Sequence, residues 1–130
     1  MESIAPNLFV RDIQATIAFY QQLGFQLVMT VPGENDQPQW AMMANGNVTF
    51  MFQTYASLGD DLPQISRQDG GSLLLYINLK DIRSFFKTVE GSASILQPLH
   101  KTFYGATEFA ISDNNNFILV FAENEGDAAA

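Results

Sequence analysis

The stretch PNLFVRDIQATIAFYQQLGF, Pro6–Phe25, decides how the rest of the chain is read. Leu8, Phe9 and Val10 make an apolar, strand-like run that Arg11-Asp12 interrupts. Asp12 is placed to cap a helix, because a carboxylate there accepts from first-turn N–H groups that have no partner within the helix. A helix from Ile13 to Leu23 puts Ile13, Ile17 and Tyr20 on one face with Ala18 beside them, and Gly24 suits its end.

The pattern recurs. Leu79-Lys80-Asp81-Ile82 echoes Val10-Arg11-Asp12-Ile13, with Asp81 in the capping place. A second helix, Ile82 to Val89, aligns Ile82, Phe85, Phe86 and Val89, and Gly91 follows it. Strands come after each helix. In the first half they are Phe25–Val31, then Gln39–Met43 and Val48–Gln53 around Asn45-Gly46, a hairpin signal because both residues tolerate positive φ. In the second half they are a short Ser94–Leu96, then Ala106–Ser112 and Phe117–Ala122 around Asp113-Asn114-Asn115-Asn116. Tyr55 to Gly71, with Gly59, Pro63, Gly70 and Gly71, reads as a loop. The expected organisation is one domain, 1–125, made of two strand–helix–strand–strand–strand copies at about 3–54 and 71–123, with a frayed tail at 126–130. Periodicity alone gives an α+β class.

Composition narrows the function classes. Hydrophobic residues make up 47% of 130 residues, including 11 Phe and 5 Met, enough for a real core. Only 15% are charged, below the usual quarter or so, which points to a surface that is neutral or covered by a partner. A net charge of −8 argues against nucleic-acid partners, since phosphate backbones repel such a domain. With no Cys, thiolate nucleophiles and thiolate metal sites are excluded. The opening Met1-Glu2-Ser3-Ile4 lacks a signal pattern and no apolar run has the length of a membrane span, so a cytoplasmic protein is expected, with no membrane partner.

Two motifs carry a family resemblance over nearly the whole chain. Val10-Arg11-Asp12 followed by Phe19-Tyr20 and Leu23-Gly24-Phe25 resembles the V-x-D turn and F-Y-x-x-x-L-G-F helix end, here with two residues before the Leu, that open domains of the vicinal oxygen chelate superfamily, which includes glyoxalases, bleomycin-resistance proteins and extradiol dioxygenases. Phe103-Tyr104-Gly105-Ala106-Thr107-Glu108-Phe109, leading to Asp113-Asn114-Asn115-Asn116, is similar to the F-Y-G-x-x-E-F strand and D-P-D-G turn of bleomycin-resistance-like members. Asn replaces the turn's Pro and Gly, and Asn also tolerates a left-handed backbone. The resemblance implies two βαβββ modules forming a curved eight-stranded mixed sheet, helices on its convex side and a ligand cleft on its concave side.

Metal-using relatives place His and Glu ligands on four central strands. The matching positions here are Ala5, Met51, Leu74 and Val120, and no ±1 neighbour is a ligand either. A lone thioether does not make a site for a hard divalent ion. No metal and no other cofactor is therefore expected. His100, the single His, is read as lying in a loop ahead of a strand that begins at Phe103-Tyr104.

Side chains alternate along strands, so these positions also name a candidate face. Asn7 and Phe9 share the face of Ala5, while Tyr76 and Asn78 share that of Leu74. Gln53 joins Met51. A two-residue hairpin at Asn45-Gly46 sets Trp40 opposite Met51 and Met42 opposite Thr49. A three-residue loop after Asp113 sets Ala110 opposite Val120 and turns Tyr104 and Glu108 inward. The expected ligand-binding set is Asn7, Phe9, Trp40, Met42, Met51, Gln53, Tyr76, Asn78, Tyr104 and Glu108. An aromatic, Met-rich surface with a few amides and one acid suits a small apolar or aromatic molecule, and Glu108 is available to a cationic one. The alternatives are that these side chains fill the cleft themselves or meet a partner chain, and that Glu108 is an exposed edge carboxylate.

By resemblance, the leading reading is a metal-independent small-molecule binding protein of the bleomycin-resistance type, its ligand held in the concave cleft of a homodimer. The alternative is a glyoxalase-like lyase or isomerase, or a dioxygenase, with an atypical active site. No acid–base pair stands out by spacing to support catalysis. A structural or regulatory module with no ligand is the third possibility.

Overall fold

The computed structural model describes residues 1–125, so the tail at 126–130 lies outside the described residues. The chain forms two compact units, one spanning Met1–Asp69 and one starting at Gly70. Eight strands pair as two four-stranded mixed sheets, one in each unit, and the repeat of strand–helix–strand–strand–strand seen in the sequence is present in both.

In the first unit, β1 (Asn7–Val10) runs parallel to β4 (Val48–Thr54), which pairs antiparallel with β3 (Pro38–Asn45), which pairs with the edge strand β2 (Gln26–Pro32). Helix α1 (Ile13–Gln22) starts at Asp12, whose side chain accepts from the Ala15 N–H at 3.0 Å, as expected of a cap. It buries Ile13, Thr16, Ile17 and Tyr20. Tyr20 is fully enclosed, with its ring centroid 4.9–5.7 Å from those of Phe25, Phe50 and Phe52. Burying each such ring contributes roughly 1.5–3 kcal/mol, so this cluster dominates the core of the unit. Gly24 ends the helix at φ +93°, a backbone that side chains resist.

The hairpin between β3 and β4 corrects the expected register. Asn45 pairs with Val48, so the central residues are Gly46 and Asn47, and Trp40 faces Gln53 while Met42 faces Met51. The cause is local. Of the two central residues only Gly46 takes positive φ, at +59°, and a turn of that kind wants its glycine first. The pairing moves along the ladder without changing which face each side chain takes.

In the second unit, β5 (Leu74–Asn78) runs parallel to β8 (Ile118–Asn124), which pairs with β7 (Ala106–Ser112), which pairs with the edge strand β6 (Ser94–Lys101). Helix α3 (Ile82–Val89) sets Phe85 and Phe86 against Phe109 and Phe121 of the sheet, centroids 4.8–6.0 Å apart. Asp81 does not cap it. That residue is itself left-handed, at φ +59°, and the Ile82 N–H is accepted instead by the Glu123 carboxylate at 3.1 Å. The loop after Asp113 has the expected three residues, with Ala110 opposite Val120. Asp113 shapes it by accepting from the N–H groups of Asn115 and Phe117, both at 2.8 Å.

Three further expectations change. Strand β6 runs eight residues to Lys101, so His100 lies in a strand, exposed, with its Nδ1 2.9 Å from the Pro98 carbonyl. An edge strand with a shifted register tolerates Pro98, so the strand runs past the expected end at Leu96. Phe103 and Tyr104 do not start a strand but occupy the turn before β7, closed by a Thr102 N–H to Ala106 carbonyl bond of 2.8 Å. The segment read as loop holds one short helix, α2 (Tyr55–Leu58), capped by Thr54. Beyond it, Arg67 donates to the carbonyls of Gly59, Asp61, Leu62 and Ile65, so one guanidinium replaces the missing ladder.

Candidate functional site

Each sheet has a face turned away from its helix, and the expected site residues fall on these faces. In the first unit, Leu8, Val10, Ala41, Met43, Phe50 and Phe52 are buried on the helix side. Their neighbours on the other side are half-buried and register in two rows across β1, β4 and β3. One row is Asn7, Met51 and Met42, and the other is Phe9, Gln53 and Trp40. The two rows are tied diagonally, since the Asn7 side-chain amide donates to Gln53 Oε1 at 2.9 Å. The Asn7 Oδ1 atom is enclosed and has no partner. An unmet buried acceptor of this kind costs about 1–3 kcal/mol.

The corresponding face of the second unit is built differently. Its rows are Tyr76, Val120 and Ala110, then Asn78, Ala122 and Glu108. Small side chains form the floor, and Ala110, Val120 and Ala122 are buried. Glu108 lies in the middle of the sheet with only 7% of its surface exposed, which rules out an exposed edge carboxylate. Its Oε2 accepts from the hydroxyls of both Tyr76 and Tyr104, each at 2.5 Å. Charge-assisted bonds from phenols are short and strong. They also hold the protons in place: hydrogen bonding to Glu108 raises both tyrosine pKa values above the ordinary phenol value of 10. Tyr76 and Tyr104 remain 48% and 55% exposed, so the rings flank a carboxylate that is itself covered. Tyr104 reaches Glu108 from the turn, not from the strand where the sequence placed it. Asn78, exposed at the end of β5, lies in the Glu108 row with Ala122 between them.

The candidate residues thus form two groups: Asn7, Phe9, Trp40, Met42, Met51 and Gln53 on one sheet, and Tyr76, Tyr104 and Glu108 with Asn78 nearby on the other. The short bonds to Glu108 were not foreseen. The spacing Tyr104-x-x-x-Glu108 carries that signal only once the turn between them is known. A cleft of about 260 Å³ in the first unit, lined by Arg11, Gln39, Thr54 and Ser57 among others, was also missed, because its residues come from segments with no common pattern.

The strand positions that match the metal ligands of relatives hold Ala5, Met51, Leu74 and Val120. Met51 pairs with Asn7 and Met42, Val120 with Tyr76 and Ala110, and Leu74 with Ile118. Ala5 precedes β1. These side chains do not fit a hard divalent cation. Among the described residues, no three of His, Asp and Glu gather as a metal-binding group.

Solved structures share the fold. TioX from Micromonospora sp. ML1 superposes with a TM-score of 0.74 at 17% identity, covering 95% of this chain and 99% of that one. A glyoxalase/bleomycin resistance protein/dioxygenase family enzyme from Burkholderia phytofirmans PsJN gives 0.75 at 21% identity, covering 92% and 96%. A bleomycin-binding protein complexed with bleomycin gives 0.63 at 24% identity, covering 96% and 100%. No curated protein matches the chain in sequence. Among the described residues, no helix is long and apolar enough to cross a membrane. The model of one family matches residues 3–121, and on that match the chain belongs to the glyoxalase/bleomycin resistance protein/dioxygenase superfamily.

Proposed function

We propose that this chain is a metal-independent small-molecule binding protein, acting as a homodimer in the cytoplasm, whose cleft takes a largely apolar, aromatic ligand bearing a positive charge. One observation carries the reading: a carboxylate buried in the middle of a sheet, Glu108, is held by two tyrosine hydroxyls whose rings stay half exposed. A buried charge is costly unless something compensates it. Two neutral phenols compensate it in part, and a cation would complete it. Aromatic faces beside an acid are a good setting for such a group. The first unit carries apolar and amide side chains of its own in the half-buried rows Asn7–Met51–Met42 and Phe9–Gln53–Trp40, the kind of surface an aromatic ligand uses. The net charge of −8 favours cationic ligands by steering. The bleomycin-binding neighbour is in keeping with this reading. For pairing, the edge strand β2 exposes Leu27, Val28, Met29 and Val31.

A thermal-shift and calorimetric screen of aromatic cations against matched neutral and anionic aromatics tests the proposal. The expected result is stabilisation by cations alone, unaffected by a chelator. Stabilisation only by anions or only in the presence of added divalent metal would overturn it. Sedimentation at micromolar concentration is expected to give a dimer.

A further inference from the structure

The Glu108 carboxylate has two oxygens, and they are not equivalent. Oε2 accepts from the Tyr76 and Tyr104 hydroxyls, while no described residue donates to Oε1. A carboxylate oxygen has about two lone-pair sites, so two phenols at 2.5 Å fill Oε2. Fork-shaped cations need both oxygens at once, because guanidinium and amidinium groups bind a carboxylate through two parallel N–H bonds. Here that geometry is blocked by the protein's own tyrosines. An alkylammonium group needs one oxygen and is not bound to a plane. Only 7% of Glu108 is exposed, while the rings of Tyr76 and Tyr104 that bond it stay half exposed, so little of the carboxylate is open to a ligand.

We infer that the Tyr76–Glu108–Tyr104 cluster selects a single-point ammonium, carried on an aromatic ligand, over a planar amidinium or guanidinium. The inference rests on the cation-binding reading above and adds to it which class of cation fits. The tyrosines are the specificity-determining residues: their hydroxyls close the second oxygen, and their rings receive the ammonium methylene groups and charge.

Benzylamine and benzamidine differ in little but the shape of the cation, so a calorimetric comparison of the two isolates it. For the natural chain the expectation is that benzylamine binds at least tenfold more tightly, and that Glu108→Gln removes this binding by tenfold or more. In the double variant Tyr76→Phe, Tyr104→Phe both oxygens are free, and the preference is expected to narrow or reverse toward benzamidine. If benzamidine binds the natural chain as tightly as benzylamine, and both depend on Glu108, the selectivity is wrong while the cation-binding function stands. If neither probe's binding depends on Glu108, both are overturned. The comparison in the natural chain decides the matter even if the double variant fails to fold.

Discussion

The two units share one topology and use it for different chemistry. Each has a parallel outer pair, a central hairpin and an edge strand, with a helix on one face. On the helix side both are aromatic: Tyr20 among Phe25, Phe50 and Phe52 in one, Phe85 and Phe86 on Phe109 and Phe121 in the other. On the opposite face they part. Where the first unit has Trp40 beside Gln53, the second has Glu108 beside Ala122; where the first has Met42 beside Met51, the second has Ala110 beside Val120. One repeat offers broad apolar contact and the other a recessed charge. A duplicated sheet keeps its helix-side pattern because packing demands it, while the other face is free to diverge.

The largest effect should come from breaking the helix-side cores unequally. Tyr20 is enclosed and touched by three phenylalanine rings besides Phe19, whereas Phe86 is only half-buried. Tyr20→Ala is expected to cost about 3–5 kcal/mol, as large aromatic-to-alanine changes in cores do. Phe86→Ala should cost distinctly less. Urea denaturation of both variants measures the gap, and equal losses would mean that the second core is as tight as the first.

The open faces invite a smaller test. Asn7 Oδ1 is enclosed without a partner, so Asn7→Leu should leave stability unchanged or raise it by about 1 kcal/mol. Its cost would appear in ligand affinity. A marked loss of stability instead would make Asn7 a structural residue. Trp40→Ala and Tyr76→Ala are each expected to weaken an aromatic ligand about tenfold or more with the fold intact. Trp40 is the single tryptophan, so its fluorescence reports directly on that face.

What the sequence revealed follows the same division. Alternation along the strands was enough to sort Leu8, Val10, Met43 and Phe52 from Asn7, Phe9, Met42 and Gln53, because burial under a helix enforces it. The repeat of Val10-Arg11-Asp12-Ile13 in Leu79-Lys80-Asp81-Ile82 located both helices, although only Asp12 caps. What escaped was set by single backbone choices. The positive φ at Gly46 moved the hairpin register, and a tolerant edge kept β6 going through Pro98. The link from Tyr104 to Glu108 depends on the turn at Thr102–Gly105, where Gly105 adopts φ +90°, and no periodicity encodes that. Glu108 was legible as an inward-facing acid, but its two phenol partners were not.

pH should act more gently, through groups of the second unit. Tyr76 and Tyr104 have raised pKa values because they donate to Glu108. Their contribution to stability is therefore fully present below the ordinary phenol value and fades as pH rises through the higher folded one. Ultraviolet titration should find these two phenolates late in the natural chain and near 10 in Glu108→Ala. At the acid end, Glu125 is held at about 2, chiefly by Arg83, with Thr107 and Lys101 assisting. Its contribution is present above the ordinary value of 4.5 and is lost as pH falls from there through about 2. Glu125→Gln should flatten the acid limb of the stability profile slightly, since the Arg83 and Lys101 partners are exposed.

The central expectation is metal-independent binding that runs through Glu108. The direct measurement is a calorimetric titration of an aromatic ammonium into chelator-treated protein, with Glu108→Gln alongside and the metal content of both determined. Saturable binding is expected in metal-free natural protein, weakened tenfold or more in the variant. Binding that needs added divalent metal, or that is equally tight in both proteins, would contradict it.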